Sequence, residues 1–399
     1  NGKSVLLTYA IDGREILESP KQQQGFPAVV HSLQIGPGEK ALTLCLGQGE
    51  VAEENFAGSS KLDAMTHTWK RGPMAVTGML LAAGEDVDGK PGQFIAAAVT
   101  GESDGLTWQT DSRLRLVLNI PPSKKARRID VLRFAGKGEP ALQSFAGMAR
   151  HRGGKVRARR LASLTKGGPS RWPEVLQTCG ERGSENLAYT LDTLTLPKSN
   201  PWNSWFRTAA LDFFEDGRMV LATHGGDVWV VSGIDEDLEE LKWKRYASGL
   251  YEPFGVKVVK GQIYLTCKDR LVRLHDFNDD DEADFYESFS ADTDVSFFFH
   301  AFNFDLHTDK QGNFFYAKSG QYTDHALPGA VIKVSPDGKK REVYCTGFRT
   351  PNGMGMMPDG RPTVSDNQGS WMPASKVSLT SPGGFYGYVQ THSSAGRWA

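Results

Sequence analysis

The chain has 399 residues, with 46 Lys+Arg against 47 Asp+Glu and a formal net charge of -1. That balance leaves no electrostatic footprint for nucleic acid or an acidic membrane surface, and no apolar run approaches the length needed to cross a bilayer. The 44 Gly, 20 Pro and 10% aromatic residues suit a turn-rich β protein, and the length suits two domains.

The chain begins at Asn1 in a strand-like segment, without an initiator Met, and stops at Ala399 just after another such segment. Such ends are expected of a fragment of a longer polypeptide, so the absence of a signal peptide says little about compartment. Residues 1–165 read as a β-rich module. A strand-like run over 5–11 ends at the turn signal Asp12-Gly13, and further strand candidates lie at 31–35, 41–46, 74–81, 94–99 and 114–120. Their separation by Gly- or Pro-containing turns suggests a β-sandwich, with one short helix expected over 141–148.

This module shows no catalytic constellation. His31, His67 and His151 share no metal-ligand spacing. The basic run over 155–160, with Arg152 before it, lacks the interleaved aromatics of a nucleic-acid platform and is expected to be a solvated edge. Cys45, Cys179, Cys267 and Cys345 lie far apart and form no CxxC, which excludes a zinc ribbon and a c-type haem within this chain. They are expected to be buried free thiols.

Residues 166–200 read as a connector punctuated by Gly167-Gly168-Pro169, Trp172-Pro173 and Asn200-Pro201, with one strand expected over 188–196. From 201 to 399 the pattern repeats as strand-turn-strand units of roughly 45 to 50 residues, the mark of β-propeller blades. About four such units are visible, so the expected fold class is all-β, a sandwich-like module followed by part of a propeller.

Between two of these units lies an acidic run from Asp276 to Glu287. Oxygen-bearing side chains fall at loop positions 1 (Asp276), 3 (Asn278), 5 (Asp280), 9 (Asp284) and 12 (Glu287), with Glu282 at position 7 offering its carbonyl. This is the spacing by which a tightly wound loop turns alternate oxygens toward one Ca2+. Asp281 stands where the usual glycine would ease the turn, and strands rather than helices flank the loop, so any calcium here is expected to be structural.

The last unit carries an arginine, Arg349, before a Pro-Asn-Gly turn, and then the polar tip Asp366-Asn367-Gln368-Gly369. Polar groups at strand ends and in loops are where a rigid β scaffold holds a binding site, so Asn352, Asp366, Asn367 and Gln368 are candidate pocket residues. His224, at the end of the first unit, joins them, with Lys318 and His325 as lesser candidates and Trp371 and Tyr386 as nearby aromatic faces.

The run Gly347-Phe348-Arg349-Thr350-Pro351-Asn352-Gly353-Met354 resembles a signature of the glucose/sorbosone dehydrogenase family, six-bladed propellers of which some use the quinone cofactor PQQ. The chain is most similar to a bacterial branch that joins β-sandwich domains to a propeller and often to a c-type cytochrome. The resemblance covers residues 170–399 well and implies a sugar or aldehyde substrate, a periplasmic or extracellular location, and electron transfer to a cytochrome outside this chain.

It also assigns roles. His300, at the end of Phe297-Phe298-Phe299-His300, resembles the family's general-base histidine, a proton-accepting task suited to imidazole. Arg349 would contact a cofactor carboxylate or substrate oxygen through its planar fork. One departure stands out: where the family places an aspartate behind the histidine, Gly320 is followed by Gln321. That departure keeps open the alternative of a non-catalytic propeller binding carbohydrate or protein.

Overall fold

The computed structural model describes residues 4–48, 65–71, 74–85, 91–110, 115–137, 139–155, 161–186, 188–321, 324–369 and 374–389. These form two units, Asn1–Lys166 and Gly167–Ala399. No helix among the described residues is long and apolar enough to cross a membrane.

The first unit holds β1 (Leu7–Ile11), β2 (Arg14–Gln22), β3 (Val29–Ile35), β4 (Leu42–Gln48), β5 (Met65–Arg71), β6 (Met74–Glu85), β7 (Pro91–Gly101), β8 (Thr107–Thr110), β9 (Arg115–Ile120), β10 (Arg127–Lys137) and α1 (Glu139–Lys155). Seven strands make one antiparallel sheet in the order β1-β2-β3-β10-β7-β6-β5, and β4-β9-β8 make a second. Alternation along β10 shows how the layers form. Ile129 and Val131 enter a core with Leu42, Leu116 and Leu118 of the small sheet, whereas Leu132 and Phe134 pack against Phe145 and Ala149 of α1. The unit is therefore a sandwich with a helix on its outer face. That helix outruns the expected 141–148 because both its ends continue past the apolar residues that touch the sheet.

Arg152 is not the solvated residue expected from the sequence. Its guanidinium donates to Asp130 Oδ2 at 2.6 Å and to Gln23 Oε1 at 3.0 Å, and both members of the ion pair are buried. Residues 156–160 of the basic run lie outside the described residues. Removing one partner strands a buried charge, so Asp130→Ala is expected to cost about 3–5 kcal/mol in denaturant unfolding of this unit. A loss under about 1 kcal/mol would mean that water reaches Arg152.

The second unit opens with β11 (Val175–Thr178), β12 (Gly180–Glu181) and β13 (Thr193–Leu194). The single connector strand expected over 188–196 is replaced by the short β12-β13 pair and by β11, which joins the outer edge of the first blade. Four blades follow. They are β14 (Thr208–Phe213), β15 (Met219–Thr223), β16 (Val228–Ser232) and β17 (Leu241–Ala247); β18 (Gly255–Val259), β19 (Gln262–Thr266), β20 (Arg270–His275) and β21 (Phe285–Ala291); β22 (Asn303–Thr308), β23 (Phe314–Lys318), β24 (Val331–Val334) and β25 (Arg341–Cys345); and the three-stranded β26 (Pro351–Met356), β27 (Pro362–Asp366) and β28 (Lys376–Leu379).

Each first hairpin closes at a glycine with positive φ, namely Gly217, Gly261, Gly312 and Gly360, which explains why Gly recurs once per repeat. The leading strands β14, β18, β22 and β26 lie side by side, as the inner strands of successive propeller blades do. Apolar residues on the facing sheets fill the space between blades. Val220 and Val230 meet Ile263 and Leu265; Tyr264 and Leu271 meet Phe314 and Ile332; Phe315 and Val331 meet Val364. Leu176, Leu194, Leu196 and Trp202 cover the remaining face of the first blade against Trp229 and Trp243. Of the cysteines, Cys267 and Cys345 are buried as expected, but Cys45 and Cys179 are exposed, each in a segment near a sheet edge; all four are free.

Candidate functional site

In an antiparallel blade, the turn after the second strand and the connection to the next blade emerge at the same end. This end gathers His224 after β15, Lys268 after β19, residues 318–321 at the end of β23 and residues 366–368 at the end of β27. The connections that precede β18, β22 and β26 add Phe254, then His300 and Phe302, then Arg349. The acidic loop joins β20 to β21 and so lies at the opposite end.

A chain of contacts links the candidates across this face. The His224 ring lies edge-on to Phe254 at 5.3 Å and to Phe302 at 6.2 Å, and Phe254 and Phe302 are 4.7 Å apart. The Phe302 carbonyl accepts from the Ser319 amide at 3.0 Å. The Arg349 carbonyl accepts from the Gly320 amide at 2.8 Å and the Ser319 hydroxyl at 3.3 Å. Arg349 and Thr350 then donate their amides to the Asp366 carboxylate, and the Thr350 carbonyl accepts from the Asn367 amide.

Within this arc, Arg349 is half-buried and its Nε is buried without a hydrogen-bond partner among the described residues. His300 sits in the turn before β22 with its ring 3.9 Å from that of Phe299. Among the described residues no hydrogen bond or ion pair reaches the His300 ring. Gln321 is buried and accepts the Thr350 hydroxyl at 3.2 Å, and Asp324 is turned to Ser296, so neither acts as a carboxylate behind His300.

Several expected lining residues have other places. Asp366 is buried at 3% exposure and spends its oxygens on backbone amides. Burial raises its carboxyl above the ordinary range, against the pull of those hydrogen bonds. It shapes the Arg349 turn rather than lining a pocket. Asn352, Asn367 and Gln368 are exposed on the same face. Tyr386 stacks on Phe348 at 5.0 Å, and Trp371 lies outside the described residues.

Lys318 and His325 are buried rather than pocket-lining. Lys318 Nζ meets Asp292 Oδ2 at 2.8 Å and the Asp294 carbonyl at 2.9 Å. His325 lies 3.7 Å from Asp294, with both ring nitrogens buried and without hydrogen bonds among the described residues. Burial and the charge of Lys318 lower its pKa below the ordinary 6.5, although Asp294 and Asp292 oppose this. A base whose folded pKa is depressed contributes stability that is complete above its unfolded value and is lost as pH falls below it. The melting temperature is therefore expected to fall between about pH 6.5 and the lower folded value, with a smaller fall in His325→Leu. Equal pH slopes in the two proteins would contradict this.

The sequence reading missed Lys268, Phe254, Phe302 and Ser319. Lys268 is buried, pairs with Glu252 Oε2 at 3.0 Å and lies 5.5 Å from the Tyr251 and Phe302 rings. The signal that finds these residues is positional. Once repeats are aligned on their second strands, Lys268 and Ser319 fall close to where His224 and Asn367 do.

No family model matches the chain, and no curated protein matches it. Similar solved structures include an oxidoreductase described as a glucose dehydrogenase from Thermus thermophilus, at 19% identity and TM-score 0.38, covering 46% of this chain and 65% of that one. A second is the PQQ-bound aldose sugar dehydrogenase of Streptomyces coelicolor, at 13% identity and TM-score 0.36, covering 47% and 64%. A third is the PQQ domain of pyranose dehydrogenase from Coprinopsis cinerea, at 12% identity and TM-score 0.34, covering 40% and 44%. The chain is similar to sugar dehydrogenases by these matches. It spans less than two thirds of the length of each of the three.

At the opposite end, the acidic loop keeps part of the expected arrangement. Asp276 accepts the amides of Asn278, Asp280 and Asp281, and the Asn278 side chain donates to Asp280. Burial, and then the charges of Asp276, Asp284 and Glu282, raise the Asp280 carboxyl despite that hydrogen bond. One expected participant, Glu287, is committed elsewhere, and the Asp284 carboxylate accepts the amides of Gly168 and Phe277. Glu287 lies in β21, where Arg273 and His275 hold its carboxylate at 2.6 and 2.7 Å. The Glu282 side chain accepts from Ser170, Arg171 and Trp172. Among the described residues, no group of three or more His, Cys, Asp or Glu side chains is arranged to hold a metal ion.

Proposed function

We propose that the unit Gly167–Ala399 carries part of the binding face of a propeller that oxidises a sugar or an aldehyde with PQQ. The observation that supports this most is the buried, unmatched Nε of Arg349 on the face that also presents His300 and half-buried aromatic rings. A planar, multiply anionic group meets that donor in the way a guanidinium fork pairs with carboxylates, and Phe254 and Phe302 offer flat surfaces to it. PQQ, when bound, supplies the acceptor for the two electrons leaving the substrate carbon. In this reading Arg349 anchors a carboxylate of the cofactor or a substrate oxygen, and His300 takes the substrate hydroxyl proton. Asn352, Asn367 and Gln368 contact the ligand from the rim, and electrons pass on to a cytochrome in a periplasmic or extracellular setting.

Titration of the chain with PQQ, followed by dye reduction with a panel of aldoses and aldehydes, tests this directly. Saturable binding with turnover supports the reading, and a folded full-length protein that binds no PQQ sinks it. That no carboxylate among the described residues bonds to the His300 ring favours a second reading, a propeller that binds carbohydrate without oxidising it. Sugar binding without turnover in the PQQ-saturated protein is its signature.

A calcium ion at the acidic loop would require Asp276, Asn278, Asp280 and Asp284 to turn toward one centre with the Glu282 carbonyl, and without Glu287, because no three acidic side chains among the described residues are arranged for it. A cation there favours the ionised form of Asp280, which burial first and then the neighbouring carboxylates disfavour. Calcium at 100 times its Kd is then expected to stabilise the unit by about 2.7 kcal/mol, seen as a higher melting temperature that EDTA reverses. An unchanged melting temperature would remove calcium from the account.

A further inference from the structure

The turn that carries His300 and the turn that carries Arg349 belong to different blade connections, yet both are held by the same four residues. At one end of this bracket, the fully buried Lys318 binds Asp292 and Asp294, the first anchors of the connection that leads to His300. Asp292 also takes Tyr316 Oη at 2.7 Å and Arg341 at 2.5 Å, and Asp294 takes the amides of Ala326 and Leu327. Burial pushes the Asp292 carboxyl up, but the charge of Lys318 and the hydrogen bonds from Lys318, Tyr316 and Arg341 bring it below the ordinary range. Next, the Ser319 amide holds the Phe302 carbonyl, two residues after His300, while its hydroxyl and the Gly320 amide hold the Arg349 carbonyl. Gln321 then accepts the hydroxyl of Thr350.

A fully buried lysine is a costly way to fill space, since a well-packed apolar side chain of similar volume does so without desolvating a charge. What an apolar residue cannot do is fix the direction of two carboxylates and, through them, the path of a loop. The exposed run that follows makes such a fixed base necessary: Phe297 and Phe299 are 98% and 76% exposed and contribute little packing to hold the His300 turn.

We infer that residues 318–321 are the positioning element of this site, with Lys318 and Ser319 setting where His300 stands relative to Arg349. The inference rests on the proposed reading only in taking these two residues as partners at one ligand. Lys318 and Ser319 are positioning residues: neither is placed against the ligand, and each acts through the loop that it holds.

The test follows the His300 ring signals and the Arg349 Nε–H signal by NMR in the full chain, in the wild type, Ser319→Ala and Lys318→Met. PQQ binding and dye-linked turnover are measured alongside. The expected result is that the Arg349 Nε–H signal shifts in Ser319→Ala, which removes the hydroxyl bond to the Arg349 carbonyl and keeps the amide bond to the Phe302 carbonyl, while its melting temperature stays near that of the wild type. Where the wild type turns over, kcat/KM falls on the order of a hundredfold, as a small misplacement of reacting groups produces. Lys318→Met should shift the His300 ring signals, because it frees Asp292 and Asp294 at the base of that connection; should it fail to fold, Ser319→Ala decides alone. An Arg349 Nε–H signal that overlays that of the wild type in Ser319→Ala overturns the inference. Signals that shift in a protein whose wild type binds no PQQ uphold the positioning role and remove the proposed function instead.

Discussion

Arg349→Met is expected to weaken PQQ binding by about 3 kcal/mol, roughly a hundredfold in Kd, because it removes a charged, forked donor from a half-buried position. The backbone of residue 349 carries the structural load here: its amide goes to Asp366 and its carbonyl to Ser319 and Gly320. Substituting the side chain leaves those bonds in place, so the melting temperature should change little. Arg349→Lys should recover only part of the affinity, since an ammonium cannot reproduce two parallel hydrogen bonds. Fluorescence or absorbance titration gives the Kd values, and an unchanged Kd in Arg349→Met would show that the unmatched Nε has no ligand to meet.

His300→Ala is expected to divide effects the other way. Loss of a positioned proton acceptor costs on the order of 10²–10⁴ in kcat, while PQQ affinity stays within a few-fold of the wild type. The His300 ring has no hydrogen bond among the described residues that its removal would break, so the fold should be indifferent to the change. Single-turnover kinetics with the cofactor already bound separates the chemical step from binding. A variant that retains full turnover would move the proton acceptor elsewhere or leave the propeller without one.

Much of the architecture was legible because it is periodic. The Gly at each inner hairpin, the alternating strands and the recurring spacing all follow from local backbone rules that act within a few residues. The same rules made His224, Arg349 and the tip at Asp366 visible as strand-end polar residues, the family resemblance alone picked out His300, and the structure sets all four on one face. What stayed hidden depends on contacts between residues distant in sequence. Lys318 reads as a pocket lysine until Asp292 and Asp294 are brought to it from the preceding connection, and Arg152 reads as solvated until Asp130 is opposite it. Asp366 shows the same limit, since nothing in Val-Ser-Asp-Asn-Gln says that its carboxylate faces inward to the amides of residues 349 and 350. The acidic loop separates spacing from availability: Glu287 stands at the calcium position of the sequence pattern, but strand pairing carries it to Arg273 and His275.

The most direct measurement is a comparison of PQQ dissociation constants at saturating calcium for the wild type, Arg349→Met and Asp276→Asn. The first variant alters the loop face and the second the opposite end of the blades. The account predicts an affinity loss near a hundredfold in Arg349→Met and a change of no more than a few-fold in Asp276→Asn. Equal affinities in all three proteins, or a loss confined to Asp276→Asn, would contradict the assignment of the ligand site to the face that carries His300 and Arg349.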